Sequence, residues 1–172
     1  MKEGKLLTNN ITLLDRLLQA WRFKTAIPYL KGGILDFGGN RGELKKFVNG
    51  KYMYVNYDHS AINGKKFDTI VALAVIEHIG YKEVFKIFKK FKEKHLKKNG
   101  KIFLTTPTKI AKPVLDFLAG IGAVNKENIE EHKHYWSKEE LFSLAEKAGF
   151  EVEKYQKFQL GFNQLAIFKH KQ

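Results

Sequence analysis

Apolar positions in this chain recur in two rhythms. Leu13, Leu14, Leu17, Leu18 and Trp21 repeat at helical spacing behind Thr12 and Asp15, a capping-box variant with an acid at the third helical position. Pro28 ends or kinks that helix, and Gly32-Gly33 punctuates before a short apolar run at 34–38, the first predicted strand. A short helix is expected over 43–48 and a strand of β-formers over 52–57. Residues 69–75 are almost unbroken apolar sequence, as suits a central parallel strand covered on both faces. Val84, Ile87, Phe88, Phe91 and Leu96 predict a helix over 81–98, stopped by Asn99-Gly100, with a strand over 101–106 closed by Pro107. Val114, Leu115, Leu118 and Ile121 suggest a helix within 108–123. Ser137 and Glu140 form a capping box for a helix through Ala148, with Gly149 after it. Two final strands, 150–158 and 162–168, are joined too closely for a crossover helix and must be antiparallel.

This order predicts an α/β fold: a doubly wound, mostly parallel sheet ending in a C-terminal antiparallel hairpin. One unit is missing from it. The residues between Asp58 and Asp68, with Asn63-Gly64 as a turn among them, are too few for a crossover helix and another strand, so the third-strand unit is expected to be absent. A single domain over 1–172 is expected, with an N-terminal helical segment, 12–31, that either packs on the core or covers the crevice at the strand ends.

Composition narrows the function classes. Without cysteine, disulfide scaffolds, thiolate nucleophiles and cysteine-ligated metals are excluded. No apolar stretch approaches the about 18 residues of a membrane span, and no signal-peptide pattern opens the chain, so a cytoplasmic protein is expected. The net charge of +13 invites a nucleic-acid partner. Yet of 31 basic residues only Arg16, Arg22 and Arg41 are arginines, the residue type whose bidentate fork suits phosphate and base edges, and nine lysines crowd into 82–101. A solvated helix face explains much of that charge; nucleic acid stays open as a partner.

The candidate chemistry starts at Asp36-Phe-Gly-Gly-Asn-Arg-Gly42. A strand ending in an acid and glycines places a ligand where open α/β sheets bind them, with backbone that can approach closely and helix amides behind it. Gly38, Gly39 and Gly42 supply the approach, and Asp58, 20 residues after Gly38, suits a pair of ribose hydroxyls. The turn spells neither a dinucleotide fingerprint nor a P-loop, and Asp36 would repel a pyrophosphate. By itself the turn is also compatible with an ordinary tight connection.

Taken together, the segments resemble a class I S-adenosylmethionine-dependent methyltransferase of the small-molecule-like branch, shortened after the second strand. Ile34-Leu-Asp-Phe-Gly-Gly-Asn-Arg-Gly42 resembles its first motif, D-x-G-x-G-x-G, and Val55-Asn-Tyr-Asp58-His-Ser60 its second strand end. Lys66-Phe-Asp-Thr-Ile-Val-Ala-Leu-Ala-Val-Ile-Glu-His-Ile79 is similar to its F-D-x-V…L-E-H segment. Leu96-Lys-Lys-Asn-Gly-Lys-Ile-Phe-Leu-Thr-Thr-Pro107 resembles its fifth strand, and His132-Lys-His-Tyr-Trp136 through Phe150 the approach to its sixth.

The resemblance implies S-adenosylmethionine as cofactor: Gly38, Gly39, Asn40 and Gly42 beside its carboxypropyl end, Asp36 toward its ammonium, Asp58 on the ribose, His59 and Ser60 flanking the adenine, and Ala74 near the sulfonium. Two departures stand out. Asn40 replaces the central glycine, and the acid that normally follows the third strand has no counterpart in 59–67. His78 is the candidate base, with Glu77 orienting it; a helix-start cap with a packed imidazole is the alternative. His132, His134 and Tyr135 are candidates for the substrate-pocket rim. Two histidines two residues apart could serve a metal, but no third ligand stands at a familiar spacing, and no metal is expected. The leading expectation is methyl transfer to a small or lipid-like acceptor; the alternatives are a methyltransferase acting on RNA or another polyanion, and a degenerate, non-catalytic interaction protein.

Overall fold

The computed structural model describes residues 12–56 and 59–171. Helix α1, Leu13–Ala26, opens on the expected capping box: the Thr12 side chain accepts from the Asp15 amide and the Asp15 side chain accepts from the Thr12 amide. It runs into a 3-10 turn at Ile27–Tyr29 where Pro28 removes an amide donor. Strands β1, Ile34–Phe37, and β2, Tyr52–Val55, flank a glycine turn and the 3-10 segment Glu43–Phe47. Strand β3, Phe67–Leu73, is followed by α2, Tyr81–Lys90, a π-helical turn at Phe91–His95, and the long strand β4, Leu96–Pro107. Helices α3, Ala111–Gly120, α4, Lys126–Glu130, and α5, Lys138–Lys147, precede strands β5, Phe150–Phe158, and β6, Asn163–His170.

The six strands form one sheet in the order β2-β1-β3-β4-β6-β5. The first four in that order are parallel, and β6 lies antiparallel between β4 and β5. This is the doubly wound, mostly parallel sheet with a closing antiparallel hairpin expected from the sequence. Among the described residues no strand lies between Val55 and Phe67. A 3-10 turn, Ser60–Ile62, occupies that interval, and Ile62 drops into the core beside Phe37, Val55 and Phe67.

Alternating side chains give the sheet two apolar faces. Leu35, Phe37, Ile70, Ala72, Ile102 and Leu104 pack with α2 and α5; Ile34, Val71, Phe103, Leu165 and Ile167 pack on the other side with Ala26 and Phe23 of α1. Asp36 shares the α1 side with Ile34, and so does Tyr52, the register partner of Ile34.

Several elements differ from the sequence reading. The predicted 81–98 helix ends early. Leu96 already pairs with Phe67, and the register then shifts, so that Thr69 pairs with Lys101 and Asn99-Gly100 sits inside β4 as part of an irregular stretch. Leu96 fits helical spacing and strand burial equally well, and pairing with β3 decides the matter. The 43–48 helix is a single 3-10 segment, and α4 lies where no helix was expected. Most tellingly, the apolar stripe of α1 is only partly covered: Leu14 and Leu18 are half-buried, but Leu13, Leu17 and Trp21 are 76%, 59% and 46% exposed. Polar bonds add to the packing of Phe23 and Ala26 in holding this helix. Gln159 Nε2 donates to the Leu18 carbonyl at 2.8 Å and Thr12 Oγ1 to the Ala123 carbonyl at 2.8 Å.

Candidate functional site at the carboxyl ends of β1 and β3

The glycine turn is built from left-handed residues. Gly38, Asn40 and Gly42 have φ of 76°, 49° and 70°. Asparagine is the residue other than glycine that reaches this region most readily, which lets Asn40 stand where the motif has glycine. Its compensation is a reciprocal clasp: the Asn40 amide donates to Asn56 Oδ1, and Asn56 Nδ2 donates to the Asn40 carbonyl, each at 2.9 Å. The turn is thereby stitched to the end of β2 through backbone atoms, leaving the Asn40 side chain out of the clasp. Glycine is required for packing as well. A Cβ on Gly42 would meet the Tyr54 ring at 2.9 Å, and one on Gly39 would collide with the Asp36 carboxylate.

That collision locates Asp36 directly under the turn. Its side chain is 4% exposed and accepts a 2.5 Å hydrogen bond from the Tyr52 hydroxyl. Burial pushes its pKa up to about 6, against the opposing pull of that bond. A carboxylate so held lacks a full positive partner and would gain from an ammonium group above it.

The tip of β3 forms the second wall. Ala74 takes a left-handed φ of 55°, a conformation that costs an L-residue roughly 1–2 kcal/mol, and its amide is held by the Thr105 carbonyl at 3.0 Å. The two walls touch: a Cβ on Gly38 would run into the Val75 side chain at 2.5 Å. Beyond Val75 a 3-10 turn, Ile76–His78, carries Glu77 and His78 inward. Glu77 is 1% exposed, its Oε2 accepts from Thr106 Oγ1 at 3.1 Å, and burial raises its pKa to about 7. Desolvation lowers the His78 pKa, with Glu131 opposing, so burial favours the neutral imidazole.

The 132–135 segment is pinned to this tip by backbone bonds. The Lys133 and His134 amides donate to the Glu77 carbonyl at 2.8 and 3.1 Å. The His132 ring then lies edge-on to His78 with centroids 4.8 Å apart, and His132 Nδ1 meets the Tyr135 hydroxyl at 2.9 Å. Burial lowers the His132 pKa to about 4, and His78 contributes in the same direction. His134 departs from this group: its Nε2 is 3.2 Å from Glu140 Oε1, and its ring abuts Tyr81 and Trp136.

The fold brings several of the sequence candidates together in two groups. Gly38 and Gly39 close on Val75 and Asp36 at the glycine turn, and Glu77, His78, His132 and Tyr135 gather beyond the tip of β3. His59 stands at the edge, its ring 5.2 Å from Phe37 and its Nε2 3.3 Å from the Asn56 carbonyl, with Ser60 beginning the turn that follows. Asp58 lies outside the described residues. Sequence reasoning missed Tyr52, Asn56 and Arg22. The Arg22 side chain is half-buried, with its pKa lowered by desolvation while Glu77 and Asp15 pull it back. The scarcity of arginine was the one signal that could have singled it out. No local pattern marked the other two.

The comparisons bear on the family and the fold. The profile of a methyltransferase domain family matches residues 9–155. The chain belongs to that family. Its sheet makes it a class I, Rossmann-like methyltransferase. Among solved structures it resembles the mitomycin 7-O-methyltransferase MmcR, with TM-score 0.67 at 13% identity over 90% of this chain and 54% of that one. It is also similar to the pyocyanin biosynthetic protein PhzM, with TM-score 0.69 at 14% identity over 92% of this chain and 57% of that one. A third is the magnesium protoporphyrin IX methyltransferase ChlM from Synechocystis PCC 6803 with bound SAH, with TM-score 0.63 at 12% identity over 95% and 90%. At these identities the likeness is one of fold. The chain spans just over half the length of the first two. A search of curated proteins finds no match. No helix among the described residues is long and apolar enough to cross a membrane.

Proposed function

We propose that this methyltransferase moves the methyl group of S-adenosylmethionine to a small or lipid-like acceptor at the tip of β3. The observation that carries the reading is the meeting of two strand ends, Gly38 against Val75, with the buried Asp36 carboxylate under one and the buried Glu77 with half-buried His78 and His132 beyond the other.

The residues present fit the cofactor. Gly38, Gly39 and Gly42 let the turn close down on Val75, Asp36 and Tyr54, where any Cβ would collide. Asp36 is a buried acid short of a cation, and Asp58, His59 and Ser60 follow β2 in the sequence as ribose and adenine partners. Bound there, the cofactor supplies an activated methyl group on a sulfonium, so the chain's own work is alignment and exclusion of water. Asp36 holds the ammonium end. His78, whose burial favours the neutral imidazole, accepts a proton from an acceptor hydroxyl or amine, and Glu77 with Thr106 fixes the turn that carries it. Helix α3 comes near this tip, since its Lys112 and Asp116 act electrostatically on His132, and the same helix exposes Val114 and Phe117, apolar surface suited to a small or lipid-like acceptor.

Calorimetric titration with S-adenosylhomocysteine tests the reading. One equivalent should bind, and Asp58→Ala should weaken binding by about 1–3 kcal/mol through a lost charge-assisted bond. A folded protein that takes up no S-adenosylhomocysteine defeats the proposal.

A further inference from the structure

The polar cluster at the β3 tip has a composition that proton transfer alone does not require. One ligand-capable atom each from Glu77, His78 and His132 lies within 4.8 Å of the other two. The His78 Nδ1 is shielded from solvent and has no hydrogen-bond partner. A buried ring nitrogen without a partner is a costly arrangement unless something occupies the space in front of it.

We propose that Glu77, His78 and His132 form a site for one divalent cation of the Zn2+ class. Two imidazoles and one carboxylate are a known donor set for zinc, and for other first-row metals that keep open coordination positions. Ligands about 2.1 Å from a tetrahedral ion stand roughly 3.4 Å apart, so side-chain shifts of about an ångström close the set. The surroundings are already ordered for it. His132 Nδ1 engages the Tyr135 hydroxyl, His78 rests against the Glu131 backbone, and Glu77 Oε2 accepts from Thr106. Metal-bound histidines and carboxylates are usually oriented by bonds of this kind. The backbone bonds from Lys133 and His134 to Glu77 hold the distant His132 in place.

The electrostatics are mixed. Glu131 and Asp116 favour a cation here, while Arg22, Lys133 and Lys112 oppose it. The site is therefore expected to bind exchangeably, more weakly than a closed structural zinc centre. Three protein ligands leave positions for water or for an oxygen of a bound molecule. The cluster geometry stands by itself. A cation and a proton compete for His78, so it serves as a base only with the cation site empty, and the use of the open positions by a methyl acceptor rests on the function proposed above.

The test is titration of EDTA-treated full chain with Zn2+, and with Co2+ followed by its visible absorption. Wild type should take up one equivalent. His78→Gln and His132→Gln should each weaken binding at least about tenfold with the far-UV circular dichroism unchanged, while His170→Gln should leave it unaltered. No uptake by folded wild type, or uptake unchanged in both variants, overturns the proposal. Zn2+ uptake without S-adenosylhomocysteine binding would leave the metal site standing and remove the methyl-transfer reading; the reverse result removes the metal site alone.

Discussion

Asp36 and His78 show how burial sets the working charge of a residue. Asp36 has a folded-state pKa of about 6 against an ordinary value of 3.8, so the fold favours its protonated form. The sign follows from proton binding: between these values the folded chain binds more protons, and the contribution of Asp36 to stability falls as pH rises from about 4 to 6. A shift of about two units corresponds to roughly 3 kcal/mol. Asp36→Asn lacks this penalty, so its stability relative to wild type should improve across that window and then level off. The loss of the Tyr52 bond to a carboxylate adds a constant offset. Taking the difference between the two proteins matters, because the lowered pKa of His132 contributes a slope of opposite sign. Urea unfolding at pH 4, 5, 6 and 7 measures it, and parallel curves would contradict the assignment. For His78, replacement by Gln should lower the maximal methylation rate by about 10²–10⁴-fold and remove the acidic limb of the pH–rate profile. A profile of unchanged shape would mean that the imidazole only packs.

Among the elements, α5 and α1 make a useful contrast. Both start on capping boxes that are readable as residue pairs, Ser137 with Glu140 and Thr12 with Asp15. Such bonds are local, so the chain alone determines them. Ser137→Ala should cost about 1 kcal/mol of stability, read from the shift of a denaturant midpoint at constant slope. Which face of a helix is buried is another matter. Leu141, Leu144 and Ala145 of α5 enter the core, whereas Leu13, Leu17 and Trp21 of α1 remain exposed. Periodicity states that an apolar stripe exists; only its neighbours decide whether it is covered. The same holds for β4, where Leu96 leaves the predicted helix because Phe67 waits beside it.

At the level of the whole molecule, the missing third-strand unit changes what closes the sheet. Among the described residues, the link from β2 to β3 offers a 3-10 turn to cover that side, and Ile62 is its buried plug, at 1% exposure. Ile62→Ala should destabilise the protein by about 2–5 kcal/mol, the range for a large-to-alanine change in a packed core. Urea denaturation would show it, and a loss under 1 kcal/mol would mean that this edge is loosely filled. Nearly all of the sheet was readable beforehand: its parallel strands, its closing hairpin and its absent unit follow from apolar runs and from the lengths of the links between them. The glycine turn and the Glu77-His78 pair were readable for a related reason, since strand ends and tight turns carry local signatures. The partners of those residues were not. Tyr52 under Asp36, Asn56 around Asn40 and Arg22 near Glu77 are brought there by packing across the sheet or along its face. His132 illustrates the division most clearly. In the sequence it stood beside His134, two residues away, as half of an incomplete pair. The fold separates them, turns His134 toward Glu140, and sets His132 against His78 and Glu77, 54 and 55 residues earlier in the chain. The sequence by itself determined the strands, the turns and the chemistry available at each tip, because backbone preference and burial pattern are local properties. The tertiary structure decided which of those groups meet, because strand order and the backbone bonds to Glu77 join segments that no local interaction could bring together.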